Sequence, residues 1–303
     1  VIAPPSRCVV VRVLPGGYDR AASTLGRMPL LAEFGVDLQQ ALAEAGLPVG
    51  VANLVTGTGP GVGARLTTHP DIDLVSFTGG LATGRTIMAA AAATVKKVAL
   101  ELGGKNPMIV FADSDYDTAL DCALTAVFLH SGQVGSAGTR LIIEESLHDR
   151  FVADLVERAE QIRLGGPFDS SAEAGTLISA AHRTKVDTYV QRGVEEGAVL
   201  LTGGRAPEGE QFENGFFYLP TVLDHCTREM SVVQDESFGP VLTIETFQTE
   251  AEAITIANDT VYGLAGAVWT TDSGKAQRVA KALRHGTVWI NDYPPYLPPA
   301  AWG

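Results

Sequence analysis

Charge is scarce in this chain, and so are cysteine and long apolar runs; each shortage excludes something. Only 19% of the 303 residues are charged while 46% are hydrophobic, ample for a buried core of one large or two medium domains. The three cysteines, Cys8, Cys122 and Cys226, lie far apart and are odd in number. No Cys-x-x-Cys pair or Cys/His cluster reads as a zinc site, so the expectation is no metal and free buried thiols in a reducing compartment. No apolar run reaches the roughly eighteen residues a bilayer requires; the alanine-rich stretch Ile87–Val95 is too short. Val1–Pro5 lacks a basic region followed by an apolar one, so no leader is read and a cytoplasmic location is expected. Basic side chains number 22 against 35 acidic ones, a net charge of −13. That balance speaks against a nucleic-acid partner, because phosphate backbones attract Lys/Arg surfaces. The acids are scattered and read as a solvated face.

What is present is alternation. Apolar strand-length runs occur at Val9–Val13, Val51–Val55, Leu74–Phe77, Val95–Leu102, Met108–Phe111 and Arg140–Glu144. Further ones follow at Ala198–Leu201, Phe217–Val222, Val241–Phe247, Leu264–Thr270 and Gly286–Asn291. Between them, helical spacing or composition marks Val36–Ala45, Thr83–Ala93, Asp115–Leu129, Leu147–Ile162, Ala180–Val194, Glu250–Asn258 and Ser273–His285; Leu14–Met28 reads as a loop. The pattern predicts an α/β fold with largely parallel sheets. Gly57-Thr-Gly59-Pro-Gly61 with Gly63 imitates a phosphate loop. Its sixth position is Val62, and Asp71 and Asp73 precede a strand instead of ending one, so it reads as a plain turn.

Four strings carry chemistry. Val75–Gly84 holds Phe77-Thr78-Gly79-Gly80, a tight turn whose amides open a helix and suit an anion. Glu101-Leu-Gly-Gly-Lys-Asn-Pro107 puts a carboxylate at a strand end before two glycines. Ser131-Gly-Gln-Val-Gly-Ser-Ala-Gly-Thr-Arg140 follows, and then Asp235-Glu236-Ser-Phe238-Gly239-Pro240. In this order, with Asn258–Gly266 and Gly286–Tyr293 behind them, they resemble the signatures of the aldehyde dehydrogenase superfamily from about Leu38 onward. The run Tyr293–Gly303 is most similar to its betaine-aldehyde and aminoaldehyde branch.

The resemblance implies a partial Rossmann-type NAD(P)-binding domain over 1–103 and an aldehyde-dehydrogenase catalytic-type domain over 104–303. It assigns Glu101 the general-base position and places Thr78, Gly79 and Gly80 at the cofactor pyrophosphate. Glu236 falls at the nicotinamide ribose and Phe238 at the nicotinamide. Tyr293 and Trp302 fall in the substrate tunnel, where aromatic faces suit a cationic amine, although Pro294 stands where histidine is expected. It also implies a homo-oligomer, or a hetero-oligomer with an intact homologue, through the helix Thr83–Ala93.

Against that family this sequence departs at its centre. The nucleophilic cysteine position is Gly135, and covalent aldehyde oxidation needs a thiolate. Ser136 is offset by one residue with no base beside it, and reads as a turn hydroxyl. Val9–Gly17 has no match to the Lys and Glu that hold the adenosine end. The oxyanion asparagine belongs to a family segment not represented, and the sequence stops before the last helix and strand. The expectation is a homologue without aldehyde oxidation, acting as a binding, structural or regulatory subunit, with NAD or NADP bound weakly or not at all. The alternative is residual NAD(P)-dependent oxidation, or a new reaction with Glu101 as base.

Overall fold

The computed structural model describes residues 8–14, 40–41, 43–48 and 51–293. Residues 15–28 of the expected loop, residues 36–39 and 42 of the expected helix Val36–Ala45, and Trp302 lie outside them. The chain divides into two compact units, Val1–Glu101 and Leu102–Gly303.

In the first unit β1 (Cys8–Leu14) pairs in parallel with β2 (Ala52–Thr58), from Cys8↔Ala52 to Leu14↔Thr58. The glycine stretch that follows is not the plain turn expected. It winds through one π-helical turn, Gly59–Gly63, into α1 (Ala64–Thr68). The Thr58 hydroxyl accepts from the Gly61 N–H at 3.2 Å and starts the winding. A Cβ on Gly57 would overlap the Val62 side chain, so glycine there allows the close contact. β3 (Leu74–Gly79) pairs with β4 (Lys97–Leu102), and α2 (Leu81–Ala92) lies between them in sequence.

The second unit is built on one seven-stranded sheet. Its strands are β5 (Pro107–Val110), β6 (Arg140–Glu144), β7 (Val199–Thr202), β8 (Thr221–Asp224), β9 (Val241–Phe247), β10 (Ala265–Trp269) and β11 (Thr287–Ile290), in the order β11-β10-β5-β6-β9-β8-β7. All pairs are parallel except β7–β8. Helices α3 (Tyr116–Phe128), α4 (His148–Glu160), α5 (Ala180–Glu195), α8 (Glu250–Ala257) and α9 (Ser273–Ala282) make the long connections. The short α6 (Glu210–Glu213) and α7 (Ser231–Gln234), too brief for periodicity, escaped the sequence reading. Side-chain caps fix the starts of α3, α5, α8 and α9: Asp115, Ser179, Thr249 and Asp272 each accept a first-turn N–H. Leu141, Ile143 and Trp269 pack in one apolar cluster and Ile142, Val268 and Phe247 in another, as expected for a sheet covered on both faces.

β8 lies four residues later than its expected start at Phe217. Pro220 has no N–H to give a ladder, and Thr221 pairs with Val241 once past it. Phe217 stacks edge-on to Phe212, and the Tyr218 hydroxyl donates to Asp187 at 3.1 Å. Apolar side chains were there, but for packing outside the ladder. Among the described residues no helix is long and apolar enough to cross a membrane.

One ion-pair cluster gives a pH prediction. His148 Nε2 lies 3.1 Å from Asp224 and Nδ1 lies 2.9 Å from Asp149. Burial alone pulls the His148 pKa down, but the two carboxylates more than offset it and the net shift is upward. A raised folded-state pKa contributes stability that is full below the unfolded value near 6.5 and is lost as pH rises through the folded value. The stability advantage of the wild type over His148→Gln should therefore shrink as pH rises across that window. Denaturant unfolding of the two proteins at several pH values measures that difference; a difference that does not change with pH would show that His148 does not titrate there.

Candidate functional site

The loops that carry the second unit's motifs meet at the N-terminal edge of its sheet. Asn106 stands just before β5, Gly135–Ala137 before β6, Glu236–Pro240 before β9 and Leu264 before β10. Because these strands are parallel neighbours (Pro107↔Arg140, Ala267↔Met108), their entry loops share one rim. Asn106 ties them. Its Nδ2 donates to Gly135 O at 2.9 Å and Ala137 O at 2.8 Å, and its Oδ1 accepts from Ala265 N at 3.1 Å. At 1% exposure it is a fully used buried amide. The sequence reading gave Asn106 no role; its only signal was membership of the Glu101–Pro107 string.

The approach to Gly135 is strained. His130 and Ser131 have φ of 52° and 56°, and each left-handed non-glycine residue stores about 1–3 kcal/mol. Gly132, at φ 71°, follows, and any Cβ there would overlap the Gly239 carbonyl. Gln133 braces the turn from below, donating to Thr176 O at 3.2 Å and accepting from Ile178 N at 2.9 Å. Gly135 itself is half-exposed and not in the left-handed region. A Cβ there would meet only Leu264 Cδ2 at 3.3 Å and Leu102 O at 3.9 Å. Nothing in the local backbone demands glycine. Ser136 is 2% exposed, and its carbonyl accepts from the Tyr293 hydroxyl.

Glu236 folds onto the two glycines of the Glu101 string. Its Oε1 accepts from Gly104 N at 3.2 Å, and a Cβ on Gly103 would overlap the carboxylate. Burial raises the Glu236 pKa, partly opposed by the Gly104 amide and by Lys185 and Lys105. A half-buried carboxylate with one oxygen fixed suits acceptance from paired hydroxyls at the other. Phe238 is held at φ 56°. Its carbonyl accepts from His182 Nε2 at 2.6 Å, which assigns the proton to that nitrogen, and the two rings sit edge to face at 6.1 Å.

In the first unit Thr78 and Gly79 end β3, and Gly80 is the N-cap of α2, its first-turn amides uncapped by any side chain. Gly79 is required by contact with Phe77, whereas a Cβ on Gly80 meets nothing within 4 Å. Glu101 is exposed near the end of β4. Tyr293 lies in the core against Trp289, ring centroids 4.8 Å apart. Asn291 orients backbone, accepting from Thr270 N and donating to Thr270 O, both at 3.0 Å. Among the described residues no group of three or more His, Cys, Asp or Glu could hold a metal.

Comparison with known proteins gives the family. The profile of the aldehyde dehydrogenase family matches residues 30–303. The chain is 58% identical over 262 residues to betaine aldehyde dehydrogenase of Bacillus subtilis (strain 168), covering 86% of this chain and 54% of that one. It is 44% identical over 292 residues to the peroxisomal aminoaldehyde dehydrogenase 2 of Pisum sativum, covering 96% and 58%. A crystal structure of Staphylococcus aureus betaine aldehyde dehydrogenase in complex with NAD+ superposes with a TM-score of 0.87 at 48% identity, covering 89% of this chain and 53% of that one. The chain thus spans about half the length of these relatives.

Proposed function

This chain belongs to the aldehyde dehydrogenase family, and from that premise we propose that it lacks the family's covalent oxidation and serves as a binding, structural or regulatory subunit. Gly135 carries the reading: the site has an ordered loop, a braced backbone and room for a side chain, but no thiol to attack a carbonyl. The unit Val1–Glu101 is the partial nucleotide-binding part and Leu102–Gly303 the catalytic-type part of this reading.

A nicotinamide dinucleotide, when bound, supplies the hydride acceptor. In this chain Glu236 would accept from ribose hydroxyls, Phe238 would pack against the nicotinamide, and the amides after Gly80 would face phosphate. The adenosine end has no counterpart of the Lys and Glu in Val9–Gly17. Each missing charge-assisted contact weakens binding by about 1.5–3 kcal/mol, so NAD and NADP should bind several hundred-fold or more below a complete site. Titration calorimetry on the whole chain measures this. A micromolar dissociation constant for either nucleotide would contradict it.

The same reading makes the protein an oligomer, with itself or with an intact homologue, in the cytoplasm. Along α2 only Gly84 and Ala91 are buried, and Met88 is 55% exposed on an otherwise alanine-rich helix. Small apolar residues allow close helix packing. Arg at Ala89 or Ala90 should turn a dimer into a folded monomer in sedimentation; a monomer before any substitution would dismiss the interface.

A further inference from the structure

Lys105 is buried to 1% exposure, yet among the described residues no carboxylate pairs with it directly. Its Nζ donates to the Tyr189 hydroxyl at 3.2 Å and lies 5.8 Å from the centre of that ring. Tyr189, on α5, passes the contact on: its one hydroxyl proton is shared between Val232 O at 2.5 Å and Asp235 O at 2.9 Å. Val232 lies within α7 and Asp235 is its C-cap, at the turn into Glu236 and Phe238. Lys105 is also the residue between Gly104, whose amide holds Glu236, and Asn106, which holds Gly135 and Ala137. One short segment therefore grips both loops of the rim.

We propose that Lys105 is a positioning residue that works as an uncharged amine: it seats Tyr189, and Tyr189 fixes the segment 232–238 that presents Glu236 and Phe238. The charged form has poor compensation in this setting. Arg140 on β6 repels it, the Glu245 carboxylate on β9 is already paired with Arg140 at 2.8 Å, and Cys226 is a buried thiol. Glu236 spends its near oxygen on Gly104, while Tyr189 on α5 offers only a neutral hydroxyl. Burial foremost, then Arg140, brings the Lys105 pKa down to about 7, with Cys226, Glu245 and Glu236 acting the other way. When the segment opens and water reaches the amine, its affinity for a proton rises toward the ordinary 10.5. Protons therefore favour the open segment, and closure strengthens as pH rises above about 7. That this governs nucleotide capture rests on the function proposed above; the latch itself does not.

Hydrogen exchange of amides 232–239 in the whole chain, read by mass spectrometry from about pH 6 to pH 9.5 and corrected for intrinsic rates, tests the latch. Wild-type opening should fall about tenfold per pH unit above roughly 7.5. Lys105→Met should abolish the slope, and Tyr189→Phe should raise opening of this segment about tenfold with the exchange of β5 and β6 unchanged. A flat wild-type profile, or a slope that survives Lys105→Met, overturns the proposal. If Lys105→Met does not fold, the wild-type profile and Tyr189→Phe decide, and unchanged exchange in Tyr189→Phe also overturns it. Millimolar NAD is tested in parallel. No NAD protection with the slope intact sinks only the nucleotide reading, whereas NAD protection without the slope sinks the latch.

Discussion

Replacing Gly135 by cysteine should give a protein that alkylates at that position in its native state, where the wild type does not. The backbone at Gly135 is outside the left-handed region. The nearest atom to a new Cβ is a terminal methyl of Leu264 at 3.3 Å, which a small rotation relieves. Asn106 holds the carbonyls of Gly135 and Ala137 whatever the side chain at 135. The native thiols in the second unit provide the contrast. Burial pushes Cys226 up to about 12, and burial with nearby Asp292 and Asp121 raises Cys122. An ordinary thiol near 8.5 is substantially ionised at pH 8, whereas one near 12 is about 10⁻⁴ ionised, so Gly135→Cys should react with iodoacetamide on the order of 10³-fold faster than Cys226. A folded Gly135→Cys protein that resists alkylation would mean that position 135 is not the mouth of a site.

The activity arm carries the larger consequence. Loss of a nucleophile lowers turnover by about 10⁴-fold or more in enzymes dissected this way. NAD-dependent aldehyde oxidation should accordingly be undetectable in the wild type. Wild-type turnover that survives substitution of Cys8, Cys122 and Cys226 would overturn the assignment of Gly135 as the vacant nucleophile position.

Arg140→Leu should be the most destabilising single substitution at the rim. Arg140 is fully buried, its Nη2 lies 2.8 Å from the Glu245 carboxylate, and the same nitrogen donates to Ile256 O at 3.1 Å. Removing one partner of a buried ion pair costs about 3–5 kcal/mol, because the other charge stays behind. Burial already raises the Glu245 pKa against the pull of Arg140. Without the guanidinium that rise grows, so the variant's loss should be largest above the ordinary carboxylate range and shrink as Glu245 takes up a proton in acid. The double variant Arg140→Leu/Glu245→Leu should recover most of the loss, since two apolar side chains leave no stranded charge. A double variant no better than Arg140→Leu would show that the guanidinium acts through Ile256 and packing instead.

Residues neighbouring in sequence carried much of this protein on their own. Strand–helix alternation and the motif strings around Glu101, Gly135 and Glu236 depend on local spacing and chemistry, and they named the fold class and the family. The absent thiol at Gly135 was equally plain. Other features exist only because distant segments converge. β8 begins after Pro220 because its partner β9 accepts it there, and the close contact of Gly57 with the Val62 side chain is one that composition does not display. Asn106 became a tie between three loops, and Lys105 a buried amine beneath Tyr189, 84 residues away. Hydrogen bonds and desolvation act through space, so no reading of adjacent residues reaches them. Parallel strands had first to bring their entry loops to one rim before those side chains had partners.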